Sequence, residues 1–524
     1  MAQRWSFGRR AGLLLPLSSA RNRRGNLATY ADAGALARWM ASAGCTLWQH
    51  LPLSEVSPGQ DSPYAASSSF ALDPVYIDLD SVDEYAKAGG EKSLSAEDQA
   101  ALERDRKNTK VDFSAVRAVK RRALEAAWQR FRDGELHQKE TARAKDFYRF
   151  REEHRGWLED WSLYRALHDR RQKSWRDWEP ALRDRDGEAL AHARTELRDV
   201  IDGLAFSQWI ADGQWRRGRK EANEAGVKMI GDLPFMVAED SADVWGLQKF
   251  FRFDATVGVP PDAYSADGQD WGLPVPRWDE MRDAGDPWLT TRAQRTAELF
   301  DGARVDHVVG LYRTYARPID KSKPYFVPGN EPQQVMQGER ILHLIGEKAD
   351  VLAEDLGTVP PFVRLSLADN GIPGTKVLRW EDDAGVFRDP AKFPKASLAV
   401  TGTHDTEALA VWWEGMKPHE RAQQLKLPQL KALAARPAEA NLKFDRTVHQ
   451  ALLEMAYGSA SDSLLLPITD ALGWRDRMNT PGTVGDQNWT FRLPFKLDEL
   501  STAEEPAALA RQLASLANKH DRRH

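Results

Sequence analysis

A single cysteine, Cys45, stands in a chain of 524 residues. It excludes an internal disulfide and fits a reducing compartment. No stretch approaches the roughly 20 consecutive apolar residues that a membrane-spanning helix needs. The nearest thing to a secretion signal is Arg9-Arg10 ahead of the apolar residues 11–17. That run is short, carries Pro16 and is followed at once by Arg21, Arg23 and Arg24, so a first barrel strand explains it better. Neither sign of charge dominates: 73 basic and 78 acidic side chains leave a formal net charge of -5. Such a surface has no field that favours nucleic acid or anionic lipid. Missing too are a P-loop, a Gly-rich dinucleotide fingerprint and Gly-x-Ser-x-Gly. The two-His helix spacing, Cys clusters and EF-hand loops of metal sites are also absent. The expectation is a cytoplasmic protein with no cofactor, no metal, and no nucleic-acid or membrane partner. Nothing marks a dimer, so a monomer is the default.

What is present is an ordinary globular composition, 42% hydrophobic and 29% charged, with an unusual 19 tryptophans. Most of these suit core packing, and a few would serve as stacking platforms for sugar rings. The length suits one large domain with insertions. Residues 13–17, a helical pattern at 31–43, and residues 45–53 read as strand, helix and strand. That order implies a parallel sheet. A Ser/Pro/Gly-rich loop with Asp61-Ser62-Pro63-Tyr64 follows, and a loop of that length in a compact enzyme is more often functional than idle. From 94 to 225 the sequence turns charged and helical. Val116, Val119, Ala123, Leu124, Ala127, Trp128 and Phe131 recur there at helical spacing.

The strand rhythm resumes at residues 227–235 and continues at 303–307, 350–357, 375–380, 399–406 and 463–468. Counted in order these make eight apolar runs. That is the number a (β/α)8 barrel requires, and barrel enzymes carry their reactive groups at the C-terminal ends of the strands. Four of the runs end in acids: Asp232, Asp306, Glu354 and Asp405. A lone carboxylate at a strand end is often a helix cap or a loop ion pair. Several converging on one mouth suit glycoside chemistry, in which one carboxylate attacks or activates water and another protonates the leaving oxygen. Arg304 shares a strand face with Asp306, and an Arg there favours the charged carboxylate. Asp355 points away from Glu354 in an extended strand, so spacing assigns the acid to Glu354; a bend would reverse that choice. His307 and His404 adjoin two of the acids, and imidazole hydrogen-bonds sugar hydroxyls well.

The ordered motifs resemble one family. They include Leu47-Trp48-Gln49, Asp61-Ser62-Pro63-Tyr64, Ile230-Gly231-Asp232-Leu233-Pro234 and Gly258-Val259-Pro260-Pro261-Asp262. Arg304-Val305-Asp306-His307, Ala353-Glu354-Asp355-Leu356-Gly357, Gly402-Thr403-His404-Asp405-Thr406 and Met478-Asn479-Thr480-Pro481-Gly482-Thr483 follow. The chain resembles the amylomaltases, or 4-α-glucanotransferases. The resemblance implies an α/β (β/α)8 TIM barrel with large helical insertions and no C-terminal β-sandwich. It also implies retaining transfer between maltodextrin donor and acceptor, with carboxyl groups about 5–5.5 Å apart. By match of motif, Asp306 is the nucleophile, Glu354 the acid/base and Asp405 the transition-state stabiliser. Arg304, His404, Asp232, His307 and Tyr64 would hold sugar, with Tyr264 and Trp271 on a lid loop at 257–278.

The expected division is 1–93 for the first strands and substrate loop, 94–225 for a helical insertion, and 226–524 for the rest of the barrel. Departures from the family pattern fall at Val308, Val309, Ala263, Leu273 and Ala65. They bear on substrate preference and on transfer against hydrolysis. Two other readings stay open: an amylase-type α-glucan hydrolase and a catalytically weak glucan-binding protein.

Overall fold

The computed structural model describes residues 6–138, 141–261, 267–383 and 386–523. The eight apolar runs become eight strands: β1 (Arg10–Leu14), β2 (Leu47–Gln49), β3 (Lys228–Leu233), β4 (Gly302–Val305), β5 (Asp350–Ala353), β6 (Gly374–Val377), β7 (Ser397–Val400) and β8 (Ser463–Pro467). Each strand lies beside its successor, and β8 pairs with β1 to close the barrel. Every pairing is parallel, so all strands deliver their C-terminal ends to one mouth. Leu47, Ile230, Leu352, Val377, Leu398, Val400 and Leu465 fill the interior. The barrel is therefore a packed core and not a pore.

Between β2 and β3 lie long helices, including Ala96–Lys107, Phe113–Phe131, Arg155–Arg171 and Arg198–Glu224. Ser95 and Asp112 begin two of them by accepting backbone N–H groups from Asp98 and Ala115, which satisfies amides that have no partner within the helix. The apolar stripe from Val116 to Phe131 is buried as its spacing predicts. So are Trp161, Trp175 and Trp215, which makes these tryptophans core and not sugar platforms.

The expected lid loop at 257–278 needs correction. Residues 257–259 end the strand Phe251–Val259, residues 269–276 make the strand Gln269–Pro276, Trp278 opens a short helix, and residues 262–266 lie outside the described chain. With Thr314–Pro318 and Tyr325–Val327 these two strands form an antiparallel sheet. Pro274 and Pro276 read as loop residues, yet both sit in an outer strand, where one edge needs no amide donor. The last described helix is Glu504–Lys519. No helix among the described residues is long and apolar enough to cross a membrane.

Candidate active site

The site is assembled from residues at or just past the ends of four barrel strands. Gly231 and Asp232 close β3; a Cβ at Gly231 would lie 2.5 Å from the Phe300 ring, so only glycine lets the strand approach there. Asp306 follows β4 directly and Glu354 follows β5 directly. The ladder runs on past both strands. Asp306 N donates to Leu233 O at 3.0 Å and Glu354 N to Val305 O at 3.0 Å. The two acids are thereby locked side by side on neighbouring strands. Asp405 lies farther along the loop after β7.

Arg304 stands between two carboxylates. Its Nη1 donates to Asp232 Oδ1 at 2.8 Å and Oδ2 at 2.7 Å, and its Nη2 lies 2.9 Å from Asp306 Oδ1. Burial opposes the guanidinium charge, but Asp232 and Asp306 outweigh it and raise the Arg304 pKa well above its ordinary value. Tyr64, from the loop after β2, donates its hydroxyl to Asp232 Oδ2 at 2.8 Å. Its ring stacks on His404 with centroids 5.3 Å apart, and the hydroxyl lies 3.1 Å from His404 Nε2. His404 Nε2 in turn lies 3.4 Å from Asp405 Oδ2. One chain of contacts thus joins Asp306, Arg304, Asp232, Tyr64, His404 and Asp405.

Glu354 and Asp405 have opposite protonation preferences. Burial, reinforced by Asp306 and opposed by Arg304, pushes Glu354 up to about 7. The Glu354 carboxyl accepts the backbone N–H of His307 at 2.8 Å and of Leu356 at 3.1 Å. Burial would raise Asp405 as well, but His404 and Asn479 outweigh it and hold the group at about 2. Near neutral pH the mouth therefore holds one carboxyl that exchanges a proton and one that stays ionised. Asp355 lies past the end of the strand and faces away from Glu354. Its Oδ1 accepts Thr375 N at 2.7 Å, and the side chain is buried away from the mouth beside Arg364. Glu354, by contrast, lines the cavity that Arg304, Thr375 and His404 share.

His307 is the next residue after Asp306 and adopts φ 44°, a left-handed conformation uncommon outside glycine. Trp271 packs edge-on against its ring at 4.9 Å, and Phe235 does so at 5.7 Å. Burial lowers the His307 pKa, with Asp306 opposing. These contacts bring the antiparallel sheet to the mouth. Of the expected site residues, only Tyr264 lies outside the described chain.

A barrel mouth with a proton-exchanging acid beside an Arg-paired aspartate is equipped for acid-assisted displacement at a glycosidic carbon. The family profile described as 4-alpha-glucanotransferase matches residues 15–498. The chain belongs to the 4-alpha-glucanotransferase family. It is 33% identical to the 4-alpha-glucanotransferase of Thermus thermophilus over 474 residues, covering 87% of this chain and 89% of that one. It is 30% identical to the chloroplastic/amyloplastic enzyme of Oryza sativa subsp. japonica over 530 residues, covering 98% of this chain and 84% of the relative. Among solved structures, the amylomaltase from Streptococcus agalactiae in complex with acarbose superposes with a TM-score of 0.82. There the identity is 25%, and 98% of this chain and 99% of that one are covered.

For this 4-alpha-glucanotransferase, reading the strand ends misses three contributors. Asn479 Nδ2 donates to Asp405 Oδ1 at 2.6 Å, and Arg477 Nη2 donates to the Asp405 carbonyl. Trp489 lies 5.8 Å from both the Tyr64 and His404 rings. All three come from the long loop after β8. Asn479 lies within a motif the family shares, which was a usable signal; Trp489 has no local pattern to mark it. The departures at Val308 and Val309 are buried in the hydrophobic core.

Proposed function

We propose that the protein transfers α-1,4-glucan segments between maltodextrins by a retaining double displacement. Asp306 attacks the anomeric carbon while Glu354 gives its proton to the departing glycosidic oxygen. The bond to the leaving glucan breaks as the bond to the Asp306 carboxylate forms. Glu354, now ionised, takes the proton from a hydroxyl of the acceptor glucan, whose oxygen then displaces Asp306. Asp405 stays anionic throughout and faces the positive charge that develops on the sugar ring. Arg304, Asp232, His404, His307, Tyr64 and Trp271 line the place where that sugar sits, and the expected contribution of Tyr264 is part of the same proposal.

The observation that carries this reading is the geometry of the mouth: Arg304 lies 2.9 Å from Asp306 and is bonded to Asp232, Glu354 is buried on the neighbouring strand end, where burial raises its pKa, and Asn479 and His404 hold Asp405 ionised. An acid near the working pH can give and retake a proton within one cycle. Residues 94–225 would form a helical subdomain that supplies no reacting group, between the segments 1–93 and 226–524. The reading also takes the protein as a cytoplasmic monomer that needs no cofactor.

Incubation with maltotriose tests the proposal. The expected result is a ladder of longer maltodextrins plus glucose, with the number of reducing ends constant. Reducing ends that rise without longer products would make the protein a hydrolase. No change with any α-1,4-glucan would leave only the binding-protein reading.

A further inference from the structure

His307 holds an unfavourable backbone conformation and uses it to aim an amide at Glu354. With φ 44° its N–H reaches Glu354 Oε2 at 2.8 Å. Non-glycine residues keep such a conformation only where their surroundings impose it. Two aromatic contacts flank the imidazole: Phe235 from the loop after β3 and Trp271 from the outer strand Gln269–Pro276. Phe235 is buried and its carbonyl accepts from Arg292, so that side is part of the barrel wall. Trp271 is only partly buried, its indole N–H donates to Gln269 Oε1 within its own strand, and its ring makes the closer contact with His307.

We propose that Trp271 is a positioning residue that acts through His307 on the proton affinity of Glu354. Pressing the imidazole against Phe235 keeps the His307 amide on the carboxylate, where it favours the ionised form. The other charged groups facing Glu354 are Arg304 and Asp306 from β4. No hydrogen bond, ion pair or cation–π contact joins either of them to Trp271 among the described residues, so a change at Trp271 reaches Glu354 through the amide. The inference rests on the assignment of Glu354 as acid/base and goes beyond it, because it ties the acid's strength to a residue of the antiparallel sheet.

The pH dependence of kcat/KM on an aryl maltoside and on maltotriose tests it. Trp271→Ala loosens His307, weakens the amide donation and raises the Glu354 pKa. The acid then stays protonated to higher pH, and the descending limb for maltotriose should move up by about half to one unit. Trp271→Phe should restore the wild-type limb. In the wild type the aryl donor, whose leaving group needs no proton, should show no such limb, and Glu354→Gln should still cleave it while losing maltotriose. A maltotriose limb that does not move in Trp271→Ala, with KM alone raised, overturns the positioning role and leaves Trp271 as a sugar platform. A limb of equal position for the aryl donor and for maltotriose, or wild-type turnover of maltotriose by Glu354→Gln, overturns the acid assignment and this inference with it.

Discussion

Arg304 binds Asp232 through one guanidinium nitrogen and Asp306 through the other, so an alteration at any of the three groups is felt by the other two. Asn479 plays a narrower part. Its amide fixes one Asp405 oxygen at 2.6 Å while His404 faces the other. A hydrogen bond to a charged group contributes about 1.5–3 kcal/mol, and each 1.4 kcal/mol is about tenfold in rate. Asn479→Ala should therefore lower kcat by roughly tenfold to a hundredfold, measured on maltotriose. His50 is the second residue to watch. Both of its ring nitrogens lack partners among the described residues, and it is packed against Trp48, Trp215 and Phe300. Burial lowers its pKa to about 3, against about 6.5 in an unfolded chain. The fold therefore keeps this contribution above pH 6.5 and loses it as pH falls toward 3, at about 1.4 kcal/mol per unit. His50→Leu should flatten the decline of Tm between pH 7 and pH 4.

Among the elements, the barrel strands were the most legible, because buried parallel strands read as short apolar runs with charge at their ends. The choice of Glu354 over Asp355 came from the same reasoning, since alternate side chains leave opposite faces of a strand; in the structure Asp355 accepts the Thr375 amide and Glu354 that of His307. The antiparallel sheet was misread as loop because its prolines and glycines mimic one. Placement of the loop after β8 depends on a buried pair: Arg492 Nη1 donates to Asp105 Oδ1 at 2.8 Å, with side chains 0% and 2% exposed. Asp105 also accepts from Asn26 and Leu27, so one carboxylate joins three distant segments. Removing one partner of such a pair costs about 3–5 kcal/mol because the other charge stays buried. Arg492→Met should lower the Tm by several degrees in calorimetry and, by loosening the loop that carries Asn479, lower kcat on maltotriose.

Across the whole molecule, the barrel turns linear order into a ring. Eight strands pair in sequence and close, and residues 232, 306, 354 and 405 meet at one end although 173 positions separate the first from the last. This much is written in the linear order of residues, because apolar runs of strand length alternating with amphipathic helices bury themselves well in a parallel barrel. That order also carries the family's motifs, spread from Leu47 to Thr483. Which carboxyls the fold buries beside other charges, and which loops reach the mouth, follow from long-range packing alone. Protonation depends on burial and on charges a few ångströms away, and neither is encoded near Glu354 in the chain. Asn479, Trp489 and Trp271 reach the site from loops and an outer strand, whose positions are set by long-range packing and not by local periodicity.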